Sequence, residues 1–201
     1  NLGASASHAY GEYNLSAGTL EFTGTTIRVG DQGTGLFNLS GGMIEYTTTA
    51  TQALIIGETG GHGEFNFSGG ELVGVNTLTI ASEAGSSGVL NVSNDVTANF
   101  EGTLTVGASG SGVMNQSGGD LTVNLFFVGN GATGVGEYNL SGGTITTDAG
   151  GSHIGQNGLG VMNHSGGTIN IGVLDGYNTR DFAIGGSVAT GTGTYNMTND
   201  A

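Results

Sequence analysis

The strongest constraint on this chain is that it repeats itself. A string of the form Gly-x-aromatic-Asn-apolar-Ser-Gly-Gly opens at Gly11, Gly35, Gly63, Gly88, Gly112, Gly136, Gly160 and Gly193, at spacings of 24, 28, 25, 24, 24, 24 and 33 residues. Later in each unit comes an aliphatic residue followed by a small one: Val29-Gly30, Ile56-Gly57, Ile80-Ala81, Val106-Gly107, Val128-Gly129, Ile154-Gly155 and Ile184-Gly185. Leu2-Gly3 is the same landmark ahead of the first opening glycine.

Lengths within the unit vary unequally. The step from the opening Gly to Ser (Thr198 in the last copy) is five residues in all eight copies. From that hydroxyl residue to the aliphatic landmark the distance runs from 11 to 19 residues, and from the landmark to the next opening Gly from 6 to 9. Constant length marks a stacked strand, where one inserted residue would turn every later side chain to the opposite face. Variable length marks turns that bulge into solvent. Alternation agrees with strands: Tyr13, Phe37, Phe65, Leu90, Met114, Tyr138, Met162 and Tyr195 share one position, and Leu54-Ile55-Ile56 and Leu104-Thr105-Val106 close their units. No apolar period of 3.6 residues extends beyond a turn.

About 24 extended residues, bent at two or three glycine turns, make one rung of a parallel β-solenoid, since a single unit cannot bury its own apolar face. The expected fold is therefore all-β: one β-solenoid domain over residues 1–201, about eight rungs, with incomplete rungs at both ends. The crossover rule for parallel strands gives it right-handed coiling. Composition fits this: 43 of 201 residues are Gly and none is Pro, which would remove a ladder donor. With no Cys, disulfides and thiolate metal sites are excluded. A net charge of −14 with two Lys plus Arg argues against nucleic-acid binding and anionic membranes, and no apolar run is long enough to span a bilayer.

Asn14, Asn38, Asn66, Asn91, Asn115, Asn139, Asn163 and Asn196 occupy one position, each opening an Asn-x-Ser/Thr string. Two readings compete. One is a row of N-glycosylation acceptors. The other, which we favour, is a structural amide ladder in which each side chain donates to the carbonyl of the rung above.

The string Gly136-Glu137-Tyr138-Asn139-Leu140-Ser141-Gly142-Gly143-Thr144-Ile145, with Val128-Gly129 before it, resembles the repeat of bacterial exported proteins associated with type V secretion and PEP-CTERM sorting. The resemblance covers essentially the whole chain. It implies an extracellular or cell-surface β-solenoid and brings no catalytic residues with it.

Chemistry-bearing clusters are sparse. Glu21 and Glu45 fall at equivalent positions of adjacent units, a spacing shared by paired catalytic carboxylates, a cation site and two solvated glutamates. The last is the favoured reading. His8, His62, His153 and His164 form no ligand set by spacing and read as solvated or turn residues. Outward pairs of the second strand include a single Thr-x-Thr, Thr144/Thr146, too irregular for an ice-binding face. We assign no catalytic, cofactor or metal residue, and allow only weakly held divalent cations such as calcium. The most irregular stretch, with Asp175, Tyr177, Arg180 and Asp181, is the place for a partner loop; a second insertion runs from Thr47 to Gln52. No capping helix or charged rung closes either end, so the expectation is head-to-tail self-association. The expected function is non-enzymatic: an extracellular structural subunit or segment of a fibre, sheath or surface matrix. The alternative is an adhesin or carbohydrate-binding passenger that reads surface glycans through its inserted loops.

Overall fold

The computed structural model describes residues 1–3, 8–47, 52–148, 151–171, 181–186 and 190–198. All regular structure among them is β, and the strands form one sheet in which every pairing is parallel. The chain coils through three faces per turn. The first turn is β1 (Tyr10–Leu15), β2 (Thr19–Phe22) and β3 (Thr26–Val29). In the second, β4 (Thr34–Tyr46) runs over two faces and β5 (Ala53–Ile56) forms the third. The third turn is β6 (His62–Val73) and β7 (Thr77–Ile80), and the fourth is β8 (Ser87–Val92) and β9 (Thr97–Val106). A single long strand, β10 (Ser111–Val128), makes the whole fifth turn. The sixth is β11 (Val135–Thr147) and β12 (Ser152–Ile154). The seventh is β13 (Leu159–His164), β14 (Thr168–Ile171) and β15 (Phe182–Ile184), and β16 (Thr192–Met197) opens another.

The register repeats the sequence period. Opening glycines pair with opening glycines from Gly11↔Gly35 to Gly160↔Gly193, and the Asn column stays aligned throughout. Leu2 makes a parallel bridge to Val29, so it belongs to the third-face column one rung earlier. Eight first-face copies are described, separated by seven steps of which the last passes through residues outside the described ones, so the rung count falls slightly below the eight expected, with Leu2 and β16 each part of a rung.

Period-2 alternation follows from the pleat, which sends successive side chains to opposite faces. In β4 the pattern places Phe37, Leu39, Ile44 and Tyr46 inside, and β6 repeats it with Phe65, Phe67 and Leu72. The landmark column is sealed, with Val29, Ile56, Ile80, Val106, Val128 and Ile154 all at 0% exposure. Each such side chain contributes about 1.5–3 kcal/mol on burial. Aromatic rings continue the stack at the N-terminal end, Tyr13 on Phe37 and Phe37 on Phe65, with centroids 5.1 and 5.3 Å apart.

The small residue after the landmark turns the corner. Gly107 has φ of 70°, and a β-carbon there would sit 2.2 Å from the carbonyl oxygen of Val135. Both conditions demand glycine: a left-handed backbone, and another strand's main chain where a side chain would go. Ala81, with φ of 57°, holds the equivalent position in its unit, so one copy of this column carries a β-carbon on a left-handed backbone.

Candidate functional site

The outward row of the first face carries the most regular polar array. Each Asn Nδ2 from Asn38 to Asn196 donates to Oδ1 of the Asn one rung earlier, at 2.7, 2.8, 2.7, 2.8, 3.0, 2.8 and 2.8 Å. The amides bond to one another, and the donors point toward the N-terminal rung. Aligned, half-buried positions one strand spacing apart leave the side chains this geometry, and ordered amides polarise one another along the row. The nitrogen that a glycan would modify is thus the ladder donor.

Glutamates flank the row where the sequence has Glu two residues before Asn. Glu12 accepts from Asn14 at 2.8 Å, and from the Tyr10 hydroxyl at 2.8 Å. Those two donors, Asn14 foremost, hold its carboxyl below the usual range, and the same carboxylate pushes the Tyr10 phenol up. Glu64 accepts from Asn66 at 3.1 Å and from Asn91 at 3.4 Å, and Glu137 from Asn163 at 3.4 Å.

Sequence reading missed two polar intrusions into the core. Gln116 and His164 stand in the inward column otherwise filled by Leu15, Leu39, Phe67, Val92 and Leu140. Each is met by a tyrosine of the next rung. Tyr138, fully buried, donates to Gln116 Oε1, while Gln116 Nε2 donates to the carbonyls of Gly119 and Thr144 at 2.9 and 3.0 Å. Burial pushes the Tyr138 phenol well above its ordinary range. His164 Nδ1 lies 2.7 Å from the Tyr195 hydroxyl, and Nε2 lies 3.2 Å from the Gly167 carbonyl. The expectation that the histidines are solvated therefore fails for His164, which is buried because its column faces inward. The signal was present: a polar residue in an apolar column, with Tyr two residues before the same column one unit later.

The other predicted positions stay apart. Glu21 and Glu45 pair in register on the second face, Glu21 exposed and Glu45 half-buried. His62 opens β6 with Nδ1 2.8 Å from Ser87 Oγ, His153 stacks on Phe127, and His8 is exposed. Among the described residues, no three His, Asp or Glu side chains gather as a metal site. Of the proposed partner loop, Asp175, Tyr177 and Arg180 lie outside the described residues, as do residues 48–51 of the other insertion; Asp181 is exposed just before β15. Arg28 pairs with Glu58 across one rung.

The terminal rungs carry the same inward columns as the interior, but open. At the N-terminal end a cavity of about 160 Å³ is lined by Leu2, Tyr13, Leu20, Phe22, Ile27 and Phe37, among others. At the opposite end Met197 is 62% and Ile184 52% exposed, although their column-mates Leu140 and Ile154 are fully buried. Comparison with protein-family models, with curated proteins and with solved structures gave no match.

Proposed function

We propose that this chain is a structural β-solenoid, a subunit or segment of an extracellular fibre, sheath or surface matrix, extended by stacking rung upon rung end to end. The observation that carries the reading is the identical first-face register of every rung, in which glycine and asparagine columns pair from Gly11↔Gly35 to Gly160↔Gly193, so that one rung can stack on any other. Tyr13, Leu20 and Phe22 at one end and Ile184 and Met197 at the other occupy columns that are sealed one or two rungs inward. A rung laid on either end would bury them and satisfy the strand edge beneath. The Asn column supports the same reading, since Asn196 presents Oδ1 at one end and Asn14 keeps a second N–H at the other. Contacts of this head-to-tail kind extend without closing.

Electron micrographs of the purified chain, paired with sedimentation, test the reading. One chain makes a rod roughly 34 Å long, from seven steps of about 4.8 Å. Stacking gives rods several times that length, shortened by Met197→Glu or Tyr13→Glu. Single short rods at every concentration would sink it.

A further inference from the structure

The three faces of the solenoid differ in charge. Outward positions on the first face carry Glu12, Glu64 and Glu137, and those on the second carry Glu21, Glu45, Glu71 and Asp120. On the third face the outward columns carry one described carboxylate, Asp181 just before β15 in the last rung, and Glu101 stands at the corner where β9 turns into this face. Ile55, Thr79, Thr105, Phe127, His153 and Ala183 follow one another in register, next to an Arg28 already paired with Glu58. In a chain of net charge −14, the described strands of this face are poor in carboxylates, with outward positions built of Thr, aliphatic and aromatic groups, half-buried except for Thr105, which is buried.

We propose that this third face is a lateral interface on which two copies of the chain pair face to face. Pairing of this kind goes beyond end-to-end stacking and does not depend on it. Charge selects the occupant. Two identical acidic rods repel through their first and second faces. Only third-face pairing turns those carboxylates away, with salt screening the remainder beyond about 8 Å. The chemistry suits sheet-on-sheet packing, in which half-buried side chains interdigitate across about 10 Å. A glycan is disfavoured because Phe127 and His153 lie stacked on each other, centroids 5.6 Å apart and 16° between planes, and so show edges to solvent where a sugar ring needs an open ring face. Four residues of strand by seven rungs cover roughly 400 Å² per partner, about half the ~800 Å² of a standard interface. Single chains therefore pair weakly, and longer rods pair more tightly because each rung adds to one continuous contact.

The test uses Met197→Glu protein, in which end stacking is blocked and the third face untouched. Sedimentation equilibrium should show a monomer–dimer equilibrium. Adding Thr79→Glu should raise its dissociation constant at least about tenfold, and adding Thr122→Glu on the second face should change it less than about twofold. Circular dichroism checks that each variant folds, and His153→Glu serves as a second third-face variant. A Met197→Glu protein that stays monomeric at its highest soluble concentration overturns the proposal, as does equal weakening by Thr79→Glu and Thr122→Glu. End-to-end growth is read separately, as rod length in the unsubstituted protein, so either idea can fail alone.

Discussion

Replacing Asn115 by Ala cuts the amide row at its middle. Asn115 Nδ2 donates to Asn91 Oδ1 at 2.8 Å, and Asn115 Oδ1 accepts from Asn139 Nδ2 at 3.0 Å. Two bonds disappear, and a half-buried acceptor and a half-buried donor lose their partners. At about 1 kcal/mol for each neutral bond the loss is about 2 kcal/mol, with about 10–30% more where polarisation along the row is interrupted. For a chain of this size that lowers the melting temperature by roughly 4–8 °C. Asn14→Ala removes the same side chain at the exposed end, where water replaces what Asn38 and Glu12 lose, and should cost about 0.5 kcal/mol. Asn115→Asp should cost more than Asn115→Ala, because it sets an anion against the Asn91 carbonyl where a donor stood. Melts followed by circular dichroism give the ranking. Repeat arrays depart from two-state unfolding, so amide exchange in β8 and β11 should locate the weakened rungs. Equal costs for Asn115→Ala and Asn14→Ala would refute the ladder as a source of stability.

Gly107→Ala should cost about 3 kcal/mol or more, combining a left-handed φ with a β-carbon 2.2 Å from the Val135 carbonyl oxygen. Gly60→Ala, with a similar φ of 77° and nothing within 4 Å, should cost only about 1–2 kcal/mol in a urea melt. Tyr138→Phe strands the buried Gln116 Oε1 and should cost about 1–3 kcal/mol, most of it recovered in the double variant with Gln116→Leu, which recreates the apolar pairing of Leu39 with Phe65. Thr147 Oγ1 and Ser152 Oγ are buried without partners among the described residues, and Val123 precedes Thr147 in its column, so Thr147→Val should stabilise by about 1 kcal/mol. Burial raises the Tyr138 and Tyr46 phenols above their unfolded value near 10. Their contribution is complete below about pH 10 and lost as pH climbs toward the folded values, so phenolate absorbance should rise together with alkaline unfolding.

Much of this architecture was legible because a solenoid writes each spatial column as a sequence period. The constant step from Gly11 to Ser16, repeated at every unit, announced the aligned first face, and Leu2-Gly3 announced its bridge to Val29. What escaped depends on contacts between columns. Gln116 meets Tyr138 and His164 meets Tyr195 across a rung and two residues sideways, a diagonal that a column-by-column reading passes over. Thr147 and Ser152 also break apolar columns, yet only the fold brings their positions inside. The carboxylate-poor third face is invisible in any one unit, because only their place in the coil sets Thr77-Leu78-Thr79 and Thr103-Leu104-Thr105 on a different face from the second strands holding Glu21, Glu45 and Glu71.

The amide row also gives the rod a sense, like the head and tail of an arrow. Every one of its seven bonds runs from the later asparagine to the earlier, so the dipoles of the side chains add along the axis. One tip ends on a carbonyl oxygen and the other on an amide hydrogen. If copies join tip to tip as proposed, all would face one way, and the fibre would be vectorial, with two chemically different extremities that would add new copies at different rates.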